Sequence, residues 1–515
     1  MNFKTKIAYT AVLATLGMVA GSAQAAYLSE DGTGQVLIYP YYTVQNGFDT
    51  YVSVVNTTSS TKAVKVRFIE GKASWEVLDF NLYLSPYDVW TAAVTATTDG
   101  AKLVTTDTSC TAPMIPGSVN FRNLAYSGKD SYENAMSRVR EGYVEIIEMG
   151  VPEGVTKNNQ TNPLVPITFA ASVTHNPATG RPVDCAWVNT QWALSSSAGT
   201  GNLNVNAPIG GLMGSGTLIN VPQGVDYTYD PTAIEDFSNS TALHSLPGST
   251  SPSLSSAKNE SLSVSSEGST RRTIVTTWLD MVGSTTVPDT AARGRNAINA
   301  ILMRSNVMNE YIVDPAINSG TDWVVTFPTK RLNVGMLAAT SPFINSWGDK
   351  PAGSLPSFTD EVAAGLSVDA NWKACEQVEI NIYDREEYVK SGGIDFSPST
   401  TPKPTLCKEA NVITFKDSNV LGSLNLSKNL ADVFVSGWAN LSLYNDGDTN
   451  TNHILATGTS TSTVNNANAS VTYTGLPVVG FAVEKYVNGN VGGMVSNYGG
   501  SYAHKYQRTY LVSLN

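Results

Sequence analysis

The stretch Asp446-Gly447-Asp448-Thr449-Asn450-Thr451-Asn452 sets oxygen-bearing side chains at alternate positions. Calcium takes about six to eight oxygen ligands, and carboxylates and amides spaced in this way can wrap it. Asp446, Asp448, Asn450 and Asn452 are therefore the metal-ligating candidates, and calcium is the one cofactor the sequence offers. The twelfth position is Thr457 instead of a bidentate glutamate, and Asp, Asn and Gly also form turns without metal. A turn is the expectation and calcium the alternative. Of the four cysteines, Cys110, Cys185, Cys375 and Cys407, no two have C-x-x-C spacing, so a thiolate metal site is not expected. Two disulfides are, and pairing Cys110 with Cys185 and Cys375 with Cys407 keeps each bridge within one half of the chain.

The remaining reactive residues do not converge. His175, His244, His453 and His504 lack any H-E-x-x-H spacing and read as surface or hydrogen-bonded side chains. A Ser-His-Asp relay around His175 and Asp184 would need a nucleophile elbow. Gly214-Ser215-Gly216 falls short of G-x-S-x-G, and its glycines are expected in a tight turn. Ser59 with Lys62, and Ser255 with Lys258, match S-x-x-K spacing, but in polar loop sequence and without K-T-G. Gly210-Gly211 and Gly492-Gly493 have no G-K-[ST] after them, and the acidic group Asp384, Glu386, Glu387 contains Arg385 and reads as a solvated strand end. A noncatalytic protein is the expectation. Exposed aromatic platforms would bind sugar rings, but most of the nine tryptophans lie in strand-like runs and are expected in cores or on sheet faces.

The elements that would position these residues are mostly strands. Gln35 to Val44 and Thr50 to Asn56 flank Gln45-Asn46-Gly47, a hairpin signal. Val64, Val66 and Phe68 alternate with Lys65 and Arg67, placing one face on a core and one in water. Glu76 to Leu84, Val89 to Val94, Thr321 to Thr329, Gln377 to Tyr383, Asp432 to Ser436, Ala439 to Tyr444 and Val479 to Tyr486 read likewise. One helix is expected, capped by Asp289 and running from Thr290 to Asn309, with Ala291, Ile298, Ile301, Leu302 and Met308 near helical spacing for packing across a sheet. Residues 194–206 and 238–270 have almost no periodicity and read as loop or linker. The fold class is mainly β: antiparallel β-sandwich domains of immunoglobulin-like type with one inserted α-helix and long polar loops. The expected division is a signal peptide (1–25), an N-terminal β-rich domain (26–237), a Ser/Thr-rich linker (238–270), a helix-containing segment packing on the first domain (271–345) and a C-terminal β-rich domain (346–515).

Lys4 and Lys6 precede an apolar run from Ile7 to Ala20 and the small-residue end Ala23-Gln24-Ala25, the pattern of a secretory signal peptide cut before Ala26. No later run is long and apolar enough for a spanning helix, so none is expected in the mature chain. The alternation of Tyr502, Tyr506, Tyr510, Val512 and Leu514 would suit a barrel strand, but the chain ends in Asn515 and no regular ten-residue alternation repeats; a plain strand is the better account. With a net charge of −11 a nucleic-acid partner is not expected. Only 15% of residues are charged, so hydroxyls and amides must solvate most of the surface.

The segments GQVLIYPYYTVQNGFDTYVSVVNTT, KAVKVRFIEGKASWEVLDFNLYLSPYDVWTAAV, VDCAW, GGLMGSGTLINV, NEYIVDPAINSGTDWVVTFPTKR and YVNGNVGGMVSNYGG together resemble a family of exported, β-rich proteobacterial cell-surface proteins of uncharacterised function. The resemblance spans most of the mature chain and implies a cell-surface or extracellular location, with the periplasm the lesser alternative; it brings no catalytic or ligand residues. The expected function is a structural, S-layer-like protein of the bacterial surface whose partners are copies of itself, assembled as an array, fibre or matrix. The alternative is an adhesin or a protein that binds cell-surface polysaccharide.

Overall fold

Strands whose apolar residues recur at every second position pair mainly antiparallel, the arrangement in which a sheet commonly buries one face and solvates the other. The computed structural model describes residues 25–514 apart from 130–131, 154–155, 158–166, 194–203, 268–269, 279–289, 336–338, 346–373, 392–403, 445–452, 458–459, 465–466 and 492–493. The first sheet runs Tyr27–Leu28, Thr232–Glu235, Val36–Thr43, Glu141–Glu153, Lys62–Glu70, Glu76–Leu84, Cys110–Ala112, with Asn204–Asn206 added to Glu141–Glu153. The second runs Val225–Tyr229, Leu212–Asn220, Asp49–Asn56, Val89–Ala96, Ala101–Val104, Ser118–Asn120. Their inner faces close a sandwich core containing Val64, Val66, Phe68 and Ile146 with Val52, Val54, Trp90 and Leu218.

A second sandwich follows the same logic. The third sheet runs Leu426–Leu430, Ala410–Phe415, Ser319–Thr326, Val479–Val491, Met494–Ala503; the fourth runs Val389–Ser391, Glu379–Tyr383, Ser436–Ser442, Asn306–Ile312, Lys505–Gln507. Trp323, Val325, Ile413 and Phe415 of the third meet Tyr311, Ile380, Ile382 and Leu441 of the fourth. The third sheet is apolar on its other face as well: Val324, Val412, Phe481 and Val483 join the first core, where Phe481 stacks on Tyr229 at 4.5 Å. Only Ala410–Phe415 with Leu426–Leu430 is a parallel strand pair among the described residues.

The fifth sheet runs Glu260–Glu267, Thr270–Trp278, Ser460–Val464, Ala467–Thr474, Ile454–Ala456, with Thr509–Leu514 paired to Ala467–Thr474. The Thr290–Leu302 helix lies between this sheet and the first. Ile298, Ile301 and Leu302 pack on Val36, Ile38 and Ile147, while Ala297 and Ala300 meet Ile274, Trp278 and Val471.

Several local expectations are corrected. Asn46 and Gly47 have φ of 52° and 83°, and Phe48 N–H donates to the Gln45 carbonyl at 2.9 Å, the turn that Asn-Gly favours. Yet the flanking strands do not pair. Both edges of Val36–Thr43 are filled, by Thr232–Glu235 and Glu141–Glu153, so the turn carries the chain from the first sheet to the second. The Thr50 hydroxyl bridges the crossing, accepting from Thr43 N–H at 2.9 Å and donating to the Thr43 carbonyl at 2.7 Å. The helix stops at Leu302 instead of Asn309, because Asn306–Ile312 enters a ladder with Ser436–Ser442 and Lys505–Gln507; its proposed cap, Asp289, lies outside the described residues. Strand structure begins at Ser436, not Asp432. Among the described residues three further short α-helices, Phe169–Val173, Cys185–Ala193 and Lys330–Asn333, accompany the expected one. Within 238–270, Glu260–Glu267 is a strand whose buried face carries Ser261 and Ser263 in place of apolar residues. Ser261 accepts from the Trp278 indole N–H at 3.0 Å and Ser263 from Arg508 at 3.1 Å, so the periodicity is there but not in hydrophobicity.

Candidate functional site

Cys110 is bonded to Cys185 and Cys375 to Cys407, as the sequence suggested. The candidate calcium ligands Asp446, Asp448, Asn450 and Asn452 lie outside the described residues, as do residues 1–24 of the leader and Gly492-Gly493. The histidines are scattered and bonded: His453 bridges Glu376 at 2.9 Å and the Leu443 carbonyl at 2.7 Å, and His504 bonds the Val324 carbonyl at 3.0 Å. Burial pushes His244 down to about 3 and His504 to about 4. His175 lies 3.7 Å from the Asp88 carboxylate, while Asp184 accepts from Trp187 N–H at 2.9 Å and so caps the Cys185–Ala193 helix. Lys62 is locked in a buried ion pair with Glu148 at 2.8 Å, and Lys258 faces Asp236 at 3.5 Å, so neither S-x-x-K match assembles a base beside a nucleophile. Asp384 accepts from the backbone N–H groups of Glu386 and Tyr388, closing the turn at a strand end.

Gly214-Ser215-Gly216 is not in a turn; it is mid-strand in Leu212–Asn220. A Cβ at Gly214 would run into the Tyr39 hydroxyl, and one at Gly216 into the Tyr229 ring. The two glycines make room for tyrosines in the first core.

The polar face of Lys62–Glu70 also departs from expectation. Lys65 is buried against Asp79, and Arg67 bonds Glu76 and Glu145, each at 2.7 Å. Residues 245–248 cover this face: the Leu246 carbonyl accepts from Lys65 at 3.3 Å, and Gly248 N–H donates to Asp79 at 2.7 Å. At the strand end Glu70 accepts from Nε and Nη2 of Arg138 at 2.8 and 2.9 Å together with the N–H groups of Lys72, Ala73 and Trp75. Burial pushes its carboxyl up, and Arg138 together with the backbone N–H groups more than offsets this, leaving it below the ordinary value. Alternation with apolar residues cannot tell such a covered ionic face from a solvated one.

Among exposed features, the free side of the fifth sheet is the best candidate for interaction. Ile454–Ala456, Ser460–Val464, Ala467–Thr474 and Thr509–Leu514 contain no charged residue. Leu455, Val471 and Tyr473 face the core, with Tyr510 and Val512 packed against them. Ser470 and Thr509 face water, and Leu511 and Leu514 are 68% and 66% exposed. Thr509–Leu514 pairs in unbroken register with Ala467–Thr474, and among the described residues no strand pairs its other edge. The adjacent Arg508 is turned inward, donating to Ser263 and to the Ala300 carbonyl. Sheet edges are ordinarily guarded by lysine, proline or a bulge, and this one has none of the three.

No family model, curated protein or solved structure matches the chain. Two disulfides are present, and among the described residues no helix is long and apolar enough to cross a membrane.

Proposed function

We propose that the chain is a noncatalytic structural protein of the bacterial exterior that joins copies of itself through the edge of its fifth sheet, forming an array, fibre or matrix. The observation that carries this reading is the uncharged strand Thr509–Leu514, whose outer edge is paired by no strand among the described residues, with Leu511 and Leu514 in solvent. An extended backbone with free N–H and C=O groups and apolar side chains is a template for another strand. The leader pattern, the disulfides and the family resemblance support the location. The test is light scattering on the mature protein and on a Leu511→Lys/Leu514→Lys double variant. The mature protein is expected to form species heavier than one chain in proportion to concentration, and the variant to remain single. A mature protein that stays a single chain at all concentrations overturns the reading.

A further inference from the structure

The fourth sheet turns one face to solvent, and its residues follow from the register. Tyr383, Trp438 and Glu310 lie in one cross-strand row, Asn381, Asn440 and Met308 in the next, and Glu379, Ser442 and Asn306 in the third. The Tyr383 and Trp438 rings are parallel within 8° at a centroid distance of 4.2 Å, and Trp438 remains 38% exposed. Tyr383 covers one indole face and fixes the rotamer; Glu310, exposed, stands on the far side of Trp438 in the same row. Asn306 donates to Asn440 at 3.0 Å and Asn381 to Glu379 at 3.1 Å, which orients the amides. Sheet packing does not call for tryptophan here, because the core side of Ser436–Ser442 is filled by Ala439 and Leu441.

We infer that this face is a binding site for a neutral polysaccharide. A pyranose ring presents an apolar C–H face that packs on an indole already held by a neighbouring ring, so little side-chain entropy is lost on binding. Its hydroxyls find fixed acceptors and donors in Glu310, Asn381 and Asn440. Residues two apart on a strand lie about 6.8 Å apart, so successive rows offer polar groups along a chain of sugars running parallel to the strands. Charge biases the class: among the described residues the face holds Glu310 and Glu379 against one cation, Lys505 beside Met308, and with a protein net charge of −11 this disfavours uronate, sialylated or phosphorylated glycans. The inference does not depend on the edge contact of the fifth sheet, which lies on different strands.

The test is retention of the mature protein on xylan, mixed-linkage β-glucan, dextran and chitin, with polygalacturonate as the acidic control. Binding to at least one neutral polymer is expected, weakened at least tenfold in Trp438→Ala, largely kept in Trp438→Phe, and weaker on polygalacturonate than on the neutral polymer. Circular dichroism of each variant checks that the fold is intact. Absence of binding to every neutral polymer, equal binding by folded Trp438→Ala, or preference for polygalacturonate would overturn the inference.

Discussion

Lys62 and Glu148 form an ion pair with both side chains fully buried, and Ile209 and Gly210 N–H groups complete the carboxylate's bonds. Replacing one member strands the other, which costs about 3–5 kcal/mol for such pairs. Lys62→Met is therefore expected to lower the free energy of unfolding in urea by about that amount, and a change under about 1 kcal/mol would show that the pair is solvated. Glu409 provides the pH signal. Burial pushes its carboxyl up to about 8 from 4.5 against the opposing pull of Lys330 and Arg331, so the unfolded chain loses this proton first. Its stabilising difference is complete below 4.5 and is lost as pH climbs to about 8. His244 and His504, held low, act in the opposite sense and only below 6.5, and Asp322, raised to about 6, has finished by then. Between pH 6.5 and 8 the melting temperature of the native protein is expected to fall more steeply than that of Glu409→Gln; parallel curves would contradict the assignment.

Element by element, the sequence was informative where one face of a strand is apolar. Glu76–Leu84 has the bounds its alternation suggested, and the C-terminal part of the helix packs through the expected Ile298, Ile301 and Leu302, while Met308 falls in a strand. What could not be read was pairing and cover. The Asn46-Gly47 turn forms as its chemistry requires, but which strand fills the neighbouring edge is settled by residues nearly two hundred positions away. Glu260–Glu267 was obscured because serines serve its buried face, and the ionic face of Lys62–Glu70 because a distant polar segment covers it. Trp438 was not separable from the core tryptophans, since its strand has the same alternation as theirs. Gly216, seen as a turn residue, carries a prediction: Gly216→Ala drives a methyl group into the Tyr229 ring and is expected to cost about 1–3 kcal/mol by overpacking. A thermal melt of the variant checks it, and an unchanged midpoint would mean that the tyrosine moves freely.

Across the whole molecule, the third sheet contributes to both sandwich cores, and the helix joins the first sheet to the fifth. The C-terminal segment strengthens this connection: Met494–Ala503 belongs to the third sheet, Lys505–Gln507 to the fourth and Thr509–Leu514 to the fifth. A contact made at the last strand is therefore anchored through consecutive residues in three sheets, which suits an element that would bear load between copies. Self-association through that strand is the central claim. Electron microscopy of the purified mature protein beside its Leu511→Lys/Leu514→Lys variant tests it most directly. Ordered sheets or fibres from the mature protein, and dispersed single particles from the variant, are the expected result; single particles from both, or the same assemblies from both, would contradict it.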